Sequence, residues 1–216
     1  MNGTVQRFGS GETALLLAAE RLFAERGIEA VALRQINQAA NQKNMSAAHY
    51  HFGSREGLVQ AVLRYRLPQI DLRRRAMLER GDVAKDMRFY LESFIAPLVD
   101  ELQPRPEGNH YIRFMQQYER YRGDYVFVRE LTPASVRIYE ALEGLVTDLP
   151  PAIARLRIGY MINMIHSVLA SAEERMGRGE VAVADLPLIA ANLVDMIANA
   201  LTAPPSAGTL GILSAR

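Results

Sequence analysis

Apolar side chains recur at the spacing of a helix face along most of this chain, and alternating strand patterns are absent. The clearest stretch is 12-ETALLLAAERLFAERG-27, in which Leu15, Leu16, Ala19, Leu22 and Phe23 share one face. Residues that favour helices, chiefly Ala, Leu, Arg, Glu and Met, dominate the remainder. The sequence therefore predicts an all-α fold.

Three short helices are predicted near the N-terminus, over 12–27, 33–41 and 46–52. The expected N-caps are Ser10 and Ser46, the second helix is poorly capped because Ala32 stands at its start, and Gly27 and Gly53 are the expected stops. About 40 residues bury too little surface to be stable alone. We therefore expect the next helix, which Ser54 caps and which runs to about Pro68, to join them to the rest without a flexible linker.

Longer helices follow, separated by proline and glycine. They are expected over 69–80, 83–102, 108–122, 133–148, 150–177 and 185–202. This pattern divides the chain into a small N-terminal domain (1–53), a larger helical domain (54–202) and a flexible tail (203–216).

Composition narrows the function classes. The chain has no cysteine, so disulfides, thiol catalysis and thiolate metal sites are excluded. No signal peptide is indicated and no uninterrupted apolar run reaches membrane-spanning length, so we expect a cytoplasmic protein. We also find no nucleophile paired with a base and no glycine-rich phosphate loop, and we expect neither an enzyme nor a cofactor.

The segment 46-SAAHYHFGSREGL-58 concentrates aromatic and imidazole side chains on one short helix. His49 and His51 are two residues apart, which places them about 200° apart around a helix, whereas helical zinc pairs need a spacing of three or four. A surface helix with Tyr50 and Phe52 in the core is a second interpretation. A helix that enters a DNA groove is the third, and it accounts for more of the residues.

The DNA interpretation assigns roles along this segment. Small residues at the leading end, Ser46, Ala47 and Ala48, would allow close approach to base edges, and alanine methyls can contact thymine methyls. His49 belongs to the same end. The donors expected to contact phosphates are Tyr50, His51 and Arg55. Residues 30–55 contain three cationic and no acidic side chains, a modest bias in the same direction.

The run from Leu15 to Leu63 resembles the DNA-binding domain of the TetR family of bacterial repressors. The landmarks are 22-LFAERG-27, 36-INQAA-40, a Tyr-His-Phe and a Ser-Arg-Glu-x-Leu. The resemblance implies a helix-turn-helix, a homodimer on double-stranded DNA and a larger domain that binds a small-molecule effector.

This chain departs from the family pattern in four places. Arg55 stands where the family usually has Lys. The turn 41-NQKNM-45 is about two residues longer than usual, so Lys43, Asn44 and Met45 are added to the expected DNA contacts. Asn41 stands in for the usual glycine, and Glu12 occupies a position where Arg is common.

Two stripes are candidates for the dimer interface. Small residues that allow helices to approach closely recur every four positions: Gly159, Asn163, Ser167 and Ser171. The following helix has the apolar face Ile189, Leu193, Met196, Ile197 and Ala200. Paired with a second copy, these helices would form a four-helix bundle. Packing within one chain is the alternative.

An aromatic stripe indicates where an effector would bind. It comprises Tyr111, Phe114, Tyr118, Tyr121 and Tyr125 at helical spacing. Facing residues are expected from Phe89, Tyr90, Phe94, Met161, Met164 and His166. The predicted ligand contacts are Tyr90, Phe94, Phe114, Tyr118, Tyr121, Met161, Met164 and His166. These side chains would suit a mostly apolar ligand with a few polar groups, and an aromatic-rich core is the alternative.

These observations predict a ligand-responsive repressor that leaves a near-palindromic operator when a mostly apolar molecule binds. A helical scaffold or ligand-binding protein without DNA-binding activity is the alternative.

Overall fold

The computed structural model describes residues 6–81, 84–106, 108–122 and 126–215. Throughout these ranges the regular structure is helical, as predicted. The helices are α1 (Ser10–Arg26), α2 (Leu33–Ala39), α3 (Ala47–Phe52), α4 (Arg55–Leu78), α5 (Met87–Val99), α6 (Tyr111–Arg122), α7 (Val126–Leu131), α8 (Pro133–Leu145), α9 (Pro151–Gly177), α10 (Leu186–Thr202) and α11 (Ala207–Ser214). Short 3₁₀ turns cover Asp100–Leu102 and Val183–Asp185.

The start of α1 differs from the expected one. Its N-cap is Gly9, and Ser10 is already helical. The Glu12 carboxylate accepts a hydrogen bond from the Gly9 N–H at 2.8 Å, which satisfies one of the donors that a helix start leaves open. The predicted side-chain cap at Ser10 is therefore wrong.

Helix α4 is a single helix of 24 residues that contains Pro68. The expectation that it ends near Pro68 is wrong. Proline removes one helical N–H, but its fixed φ is compatible with a helix, and the adjacent Leu67 and Ile70 are buried. Because α4 packs against α1 and α3 and also against α5 and α8, it belongs to both parts of the molecule.

The larger part is built around α5, which packs against α4, α8 and α10. Helix α6 lies between the two parts, because it packs against α1 on one side and α9 on the other. This arrangement places α6 and α4 as the elements that connect the N-terminal helices to the core of the larger domain.

The C-terminal segment contains helix α11 and is not the loose tail that was expected. Ser206 caps it by accepting a hydrogen bond from the Thr209 N–H at 3.2 Å, and Leu213 packs against the core. Two glycines and the absence of a clear apolar face concealed this helix in the sequence.

Residues Val183–Thr202 are long and apolar enough to cross a membrane by length and composition alone, with a mean hydropathy of 1.3. Asp195 lies within this stretch and forms an ion pair with Arg88 at the surface. An Asp at the centre of a membrane span costs roughly 2.5–3.5 kcal/mol. The stretch is therefore weak evidence for a span.

Candidate DNA-binding surface and ligand cavity

Helix α3 does not present its alanines to the outside. Ala47 is 6% exposed and Ala48 is fully buried, because α3 packs across α1, α2 and α4 at this point. The predicted contacts of Ala47 and Ala48 with DNA are therefore wrong. Their small size is required by the close packing of α3 on the domain itself.

Asn37, a buried residue of α2, holds the start of α3 in place. Its Nδ2 donates to the Met45 carbonyl at 2.6 Å, and its Oδ1 accepts from the Ala48 N–H at 2.8 Å. The Ser46 side chain, the predicted cap, makes no capping hydrogen bond. A side chain of the preceding helix thus takes over the role of an N-cap.

The turn before α3 has the backbone conformation that the sequence suggested. Asn41 has φ of 51°, and no other non-glycine residue in the described ranges has a positive φ. Asn tolerates this left-handed region better than most residues. Asn41 therefore replaces the glycine that a tight turn would otherwise need.

The exposed residues of α3 and of its preceding turn form a contiguous stretch of sequence, which we call the α3 surface. It comprises Lys43, Asn44, Met45, Ser46, His49, Tyr50 and His51, all exposed. Tyr50 is 82% exposed, although an aromatic ring of this size would gain from burial. The α3 surface offers hydrogen-bond donors and a cation to a polyanion.

Two predicted phosphate contacts already have protein partners. The Arg55 Nε donates to the Val31 carbonyl at 3.2 Å. The Nδ1 of His51 lies 3.5 Å from Glu12, so Glu12 orients an imidazole of α3 across the domain. Any contact of His51 with a phosphate would use its Nε2.

A cavity of about 210 Å³ lies among α4, α5, α6, α7, α8 and α9. Of the predicted ligand contacts, Phe94 and His166 line it. Tyr111 of the aromatic stripe lines it as well, together with its neighbour Met115 one turn later. The remaining apolar wall is formed by Leu67, Leu98, Val128, Tyr139, Ile158 and Ile162.

Six predicted ligand contacts lie elsewhere. Phe114 stacks on Phe23 of α1 with ring centroids 6.2 Å apart, and Tyr118 packs beside Phe114. The Tyr121 hydroxyl donates to Glu56, the second residue of α4, at 3.3 Å. The others are Tyr90, which packs on Phe89, and Met161 and Met164, which are absent from the cavity wall. Tyr125 lies outside the described residues.

The prediction that the aromatic stripe lines the ligand site failed for most of its residues, and the reason is geometric. Residues 114, 118 and 121 share the face of α6 that meets α1 and α4, whereas Tyr111 and Met115 share the face that meets the cavity. Helical spacing identifies a face but not the neighbour that covers it. Most of the stripe therefore connects the two parts of the molecule.

A buried polar network at the cavity wall escaped the sequence analysis. The guanidinium of Arg74, which is 3% exposed, donates to the Ser135 hydroxyl at 2.9 Å and to the Phe94 carbonyl at 3.3 Å. Asp71, one turn earlier, accepts from the N–H groups of Ala134 and Ser135 at 2.9 and 3.0 Å. This network joins α4, α5 and the start of α8.

His166 contributes a second polar group to the cavity. Its Nδ1 pairs with Glu119 of α6, and both side chains are mostly buried. Because Nδ1 is occupied, His166 can offer its Nε2 to a molecule in the cavity.

A second buried network connects the N-terminal helices to the rest. Arg66 of α4 makes two hydrogen bonds to Glu20 of α1, at 2.6 and 2.8 Å. The same carboxylate accepts from the His110 N–H, just before α6, at 3.1 Å. Arg66 also lies 3.7 Å from Glu101. These ion pairs and hydrogen bonds thus hold α1, α4 and the start of α6 together.

The predicted dimer residues separate into two groups. Gly159, Asn163, Ser167 and Ser171 are exposed along α9, as are Met196 and Ala200 of α10. Leu193 and Ile197 are each 1% exposed, and Ile189 is half-buried. Leu193 and Ile197 therefore pack within one chain, and their assignment to a dimer contact is wrong. The exposed apolar residues beside the first group are Leu156, Tyr160 and Leu188.

In the described part of the chain, no group of three or more His, Asp or Glu side chains is placed to hold a metal ion.

A family model described as "Bacterial regulatory proteins, tetR family" matches residues 15–62. No curated protein sequence matches the chain significantly.

Two solved structures with a TM-score of at least 0.50 share the fold, and a third is similar at a lower score. The fatty acid degradation regulator FadR from Bacillus halodurans is 15% identical, with a TM-score of 0.51, over 88% of this chain and 97% of its own. A mutant of HlyIIR is 17% identical, with a TM-score of 0.50, over 91% and 97%. A TetR-family transcriptional regulator from Rhodococcus sp. is 20% identical, with a TM-score of 0.48, over 88% and 100%. At these identities the likeness concerns the fold alone.

Proposed function

Through residues 15–62 the chain belongs to the TetR family of bacterial regulatory proteins, and we propose that it is a cytoplasmic repressor which a small molecule releases from DNA. It acts as a regulator and not as an enzyme. The observation that carries the proposal is the α3 surface, where Tyr50 is 82% exposed on a helix whose opposite side is anchored by Ala48 and Asn37.

On DNA, α3 lies in the major groove. Lys43, Asn44, Met45, Ser46 and His49 contact base edges or the adjoining backbone. Tyr50, His51 and Arg55 donate to phosphates. A helix-turn-helix protein reads a palindrome as a dimer, with half-sites roughly 34–36 Å apart.

The dimer forms through the exposed small residues of α9 and the exposed face of α10. Gly159, Asn163, Ser167 and Ser171 permit close approach of the two copies, and Met196 and Ala200 lie on the adjacent helix. Association would cover Leu156, Tyr160 and Leu188, which a monomer leaves in water.

The effector occupies the cavity that Phe94 and His166 line. Its arrival displaces α6 and α4, because both helices contribute to the cavity wall and both contact the N-terminal helices. That displacement changes the separation of the two α3 helices and lowers the affinity for the operator.

DNA binding is tested by fluorescence anisotropy with duplexes from the region upstream of the protein's own gene. We expect Tyr50→Ala and Lys43→Ala to weaken binding by roughly 5- to 100-fold, with a shallower salt dependence for Lys43→Ala. The matched control is Lys85→Ala, an exposed lysine outside the N-terminal helices. Unchanged affinity in both variants would refute the assigned contacts.

The alternative is a helical binding protein without DNA-binding activity. It predicts that no duplex selected from a random library binds above the level of a scrambled sequence. Selection of a near-palindrome would exclude this alternative.

A further inference from the structure

The wall of the 210 Å³ cavity contains a buried cation that no carboxylate contacts directly among the described residues. Arg74 reaches it from α4, and its guanidinium lies 4.0 Å from the centroid of the Phe94 ring. Burial lowers the pKa of Arg74 from its usual value, since the charged form loses hydration. A buried charge normally has an anionic partner.

The nearest candidate for that partner is engaged elsewhere. Asp71 directs its two carboxylate oxygens to the first N–H groups of α8 and to the Ser135 hydroxyl. Its charge also acts on Arg74, since the Ser135 hydroxyl donates to Asp71 and accepts from Arg74. Asp71 therefore leaves Arg74 with a neutral hydroxyl and a backbone carbonyl as its direct contacts.

The guanidinium still has donors to give. Three of its N–H groups are used: the Nε and one terminal nitrogen on Phe94, and the other terminal nitrogen on Ser135. Arginine has five such donors, so one N–H remains on each terminal nitrogen. Paired guanidinium donors match the two oxygens of a carboxylate.

The rest of the cavity limits the size and nature of an occupant. Its volume of about 210 Å³ lies below the roughly 300–1,000 Å³ of drug-sized sites. Leu98, Met115 and Ile158 provide apolar walls, and Tyr111 is 1% exposed. The exposed Arg129 and Glu143 stand at the rim with opposite charges, so they give no net preference there.

We propose that the effector is a small aromatic monocarboxylate of about the size of benzoate, with its carboxylate on Arg74 and its ring among the apolar side chains. This inference rests on the proposed effector cavity and specifies the chemistry of its ligand. His166 lines the cavity and its Nδ1 is paired with Glu119, so its Nε2 is the ring nitrogen that could contact a ring hydroxyl. A neutral ligand would leave Arg74 without a carboxylate in direct contact, and a cationic ligand would be repelled by it.

The test uses the full-length wild-type protein and isothermal titration calorimetry with a matched series of probes. We expect sodium benzoate and sodium 4-hydroxybenzoate to bind at least tenfold more tightly than benzamide, and benzylamine to show no measurable binding. Equal affinity for benzoate and benzamide would overturn the proposal. So would the absence of binding of both carboxylates at concentrations up to about 10 mM, which is above the dissociation constants of weak ligands.

Variants then test Arg74 itself. Arg74→Met should remove the preference for benzoate over benzamide, whereas Arg74→Lys should retain part of it. Arg75→Met, the exposed neighbour on the same helix, is the matched control and should bind benzoate like the wild type. A preference that persists in folded Arg74→Met would contradict the assignment, and the wild-type series decides the question if that variant fails to fold.

Operator release is measured separately. Binding of benzoate to Arg74 without release of DNA would support the ligand assignment and refute the proposed response. Release of DNA by a neutral molecule, with no release by benzoate, would support the proposed response and refute the ligand assignment.

Discussion

Glu173 of α9 illustrates how one residue can set a pH dependence. Burial raises the pKa of its carboxyl to about 7 from 4.5. Oε2 accepts from the Arg113 N–H at 3.3 Å, which favours the charged form less than burial disfavours it. The Arg113 Nε lies 3.3 Å from Oε1 but outside hydrogen-bonding geometry, since both atoms lack a hydrogen-bond partner.

This raised pKa predicts that stability falls as the pH rises from about 4.5 to 7. In that window the folded chain retains a proton that the unfolded chain releases. We expect Glu173→Gln to remove this component, so that between pH 5 and 8 the wild type loses roughly 1–3 kcal/mol relative to the variant. Urea denaturation at fixed protein concentration measures it. The exposed neighbour variant Glu174→Gln is the control, and a pH profile that Glu173→Gln leaves unchanged would contradict the prediction.

At the scale of single residues, the sequence predicted a role correctly where backbone conformation alone determines which residue type is suitable. Asn41 was identified because a tight turn needs a residue that tolerates positive φ. Ala47 and Ala48 were misplaced because small size suits close packing as well as close approach to DNA. Asn37 and Arg74 were missed because their roles depend on partners 8 to 61 positions away, which no local pattern reveals.

Among the elements, α1, α4 and the start of α6 depend on the buried pair of Glu20 and Arg66. A buried pair that loses one member leaves an uncompensated charge. We expect Glu20→Gln and Arg66→Met each to lower the free energy of unfolding by roughly 3–5 kcal/mol. In the double variant the loss should be smaller than the sum.

A double-mutant cycle by chemical denaturation measures this coupling. The exposed pair Arg75 and Glu79, 3.3 Å apart at the C-terminal end of α4, is the control and should show a coupling of at most about 1 kcal/mol. Additive losses at Glu20 and Arg66 would mean that the pair does not act as a unit.

Helix positions were largely predictable from periodicity, and their ends were less so. α4 continues through Pro68 because the buried residues on both sides stabilise it, a tertiary effect. α7 was missed because its six residues are too few to show a period. The family resemblance gave the identity of the N-terminal domain but not the faces of α6.

At the scale of the whole molecule, the exposed stripe on α9 predicts that assembly can be blocked by one side chain. We expect Ser167→Arg to convert a dimer to a monomer in sedimentation velocity at micromolar concentration, because a long charged side chain prevents close helix approach. Affinity for the operator should fall with it, since each half-site would be bound separately.

Ala76→Arg is the matched control, because Ala76 is a small exposed residue of α4. It should sediment like the wild type. A dimer that persists in Ser167→Arg would mean that the interface lies elsewhere. The sequence alone could not locate the interface, because α10 has apolar residues both in the core and at the surface.

The continuity of α4 has a mechanical consequence. Its 24 residues extend for roughly 36 Å at 1.5 Å per residue, with the residues beside Arg74 near one end and the residues beside α3 at the other. A pivot of about five degrees would therefore carry the far end by about 3 Å. Under the proposed mechanism, a small tilt of α4 caused by an effector at the cavity would therefore become a larger displacement of α3 relative to the DNA groove.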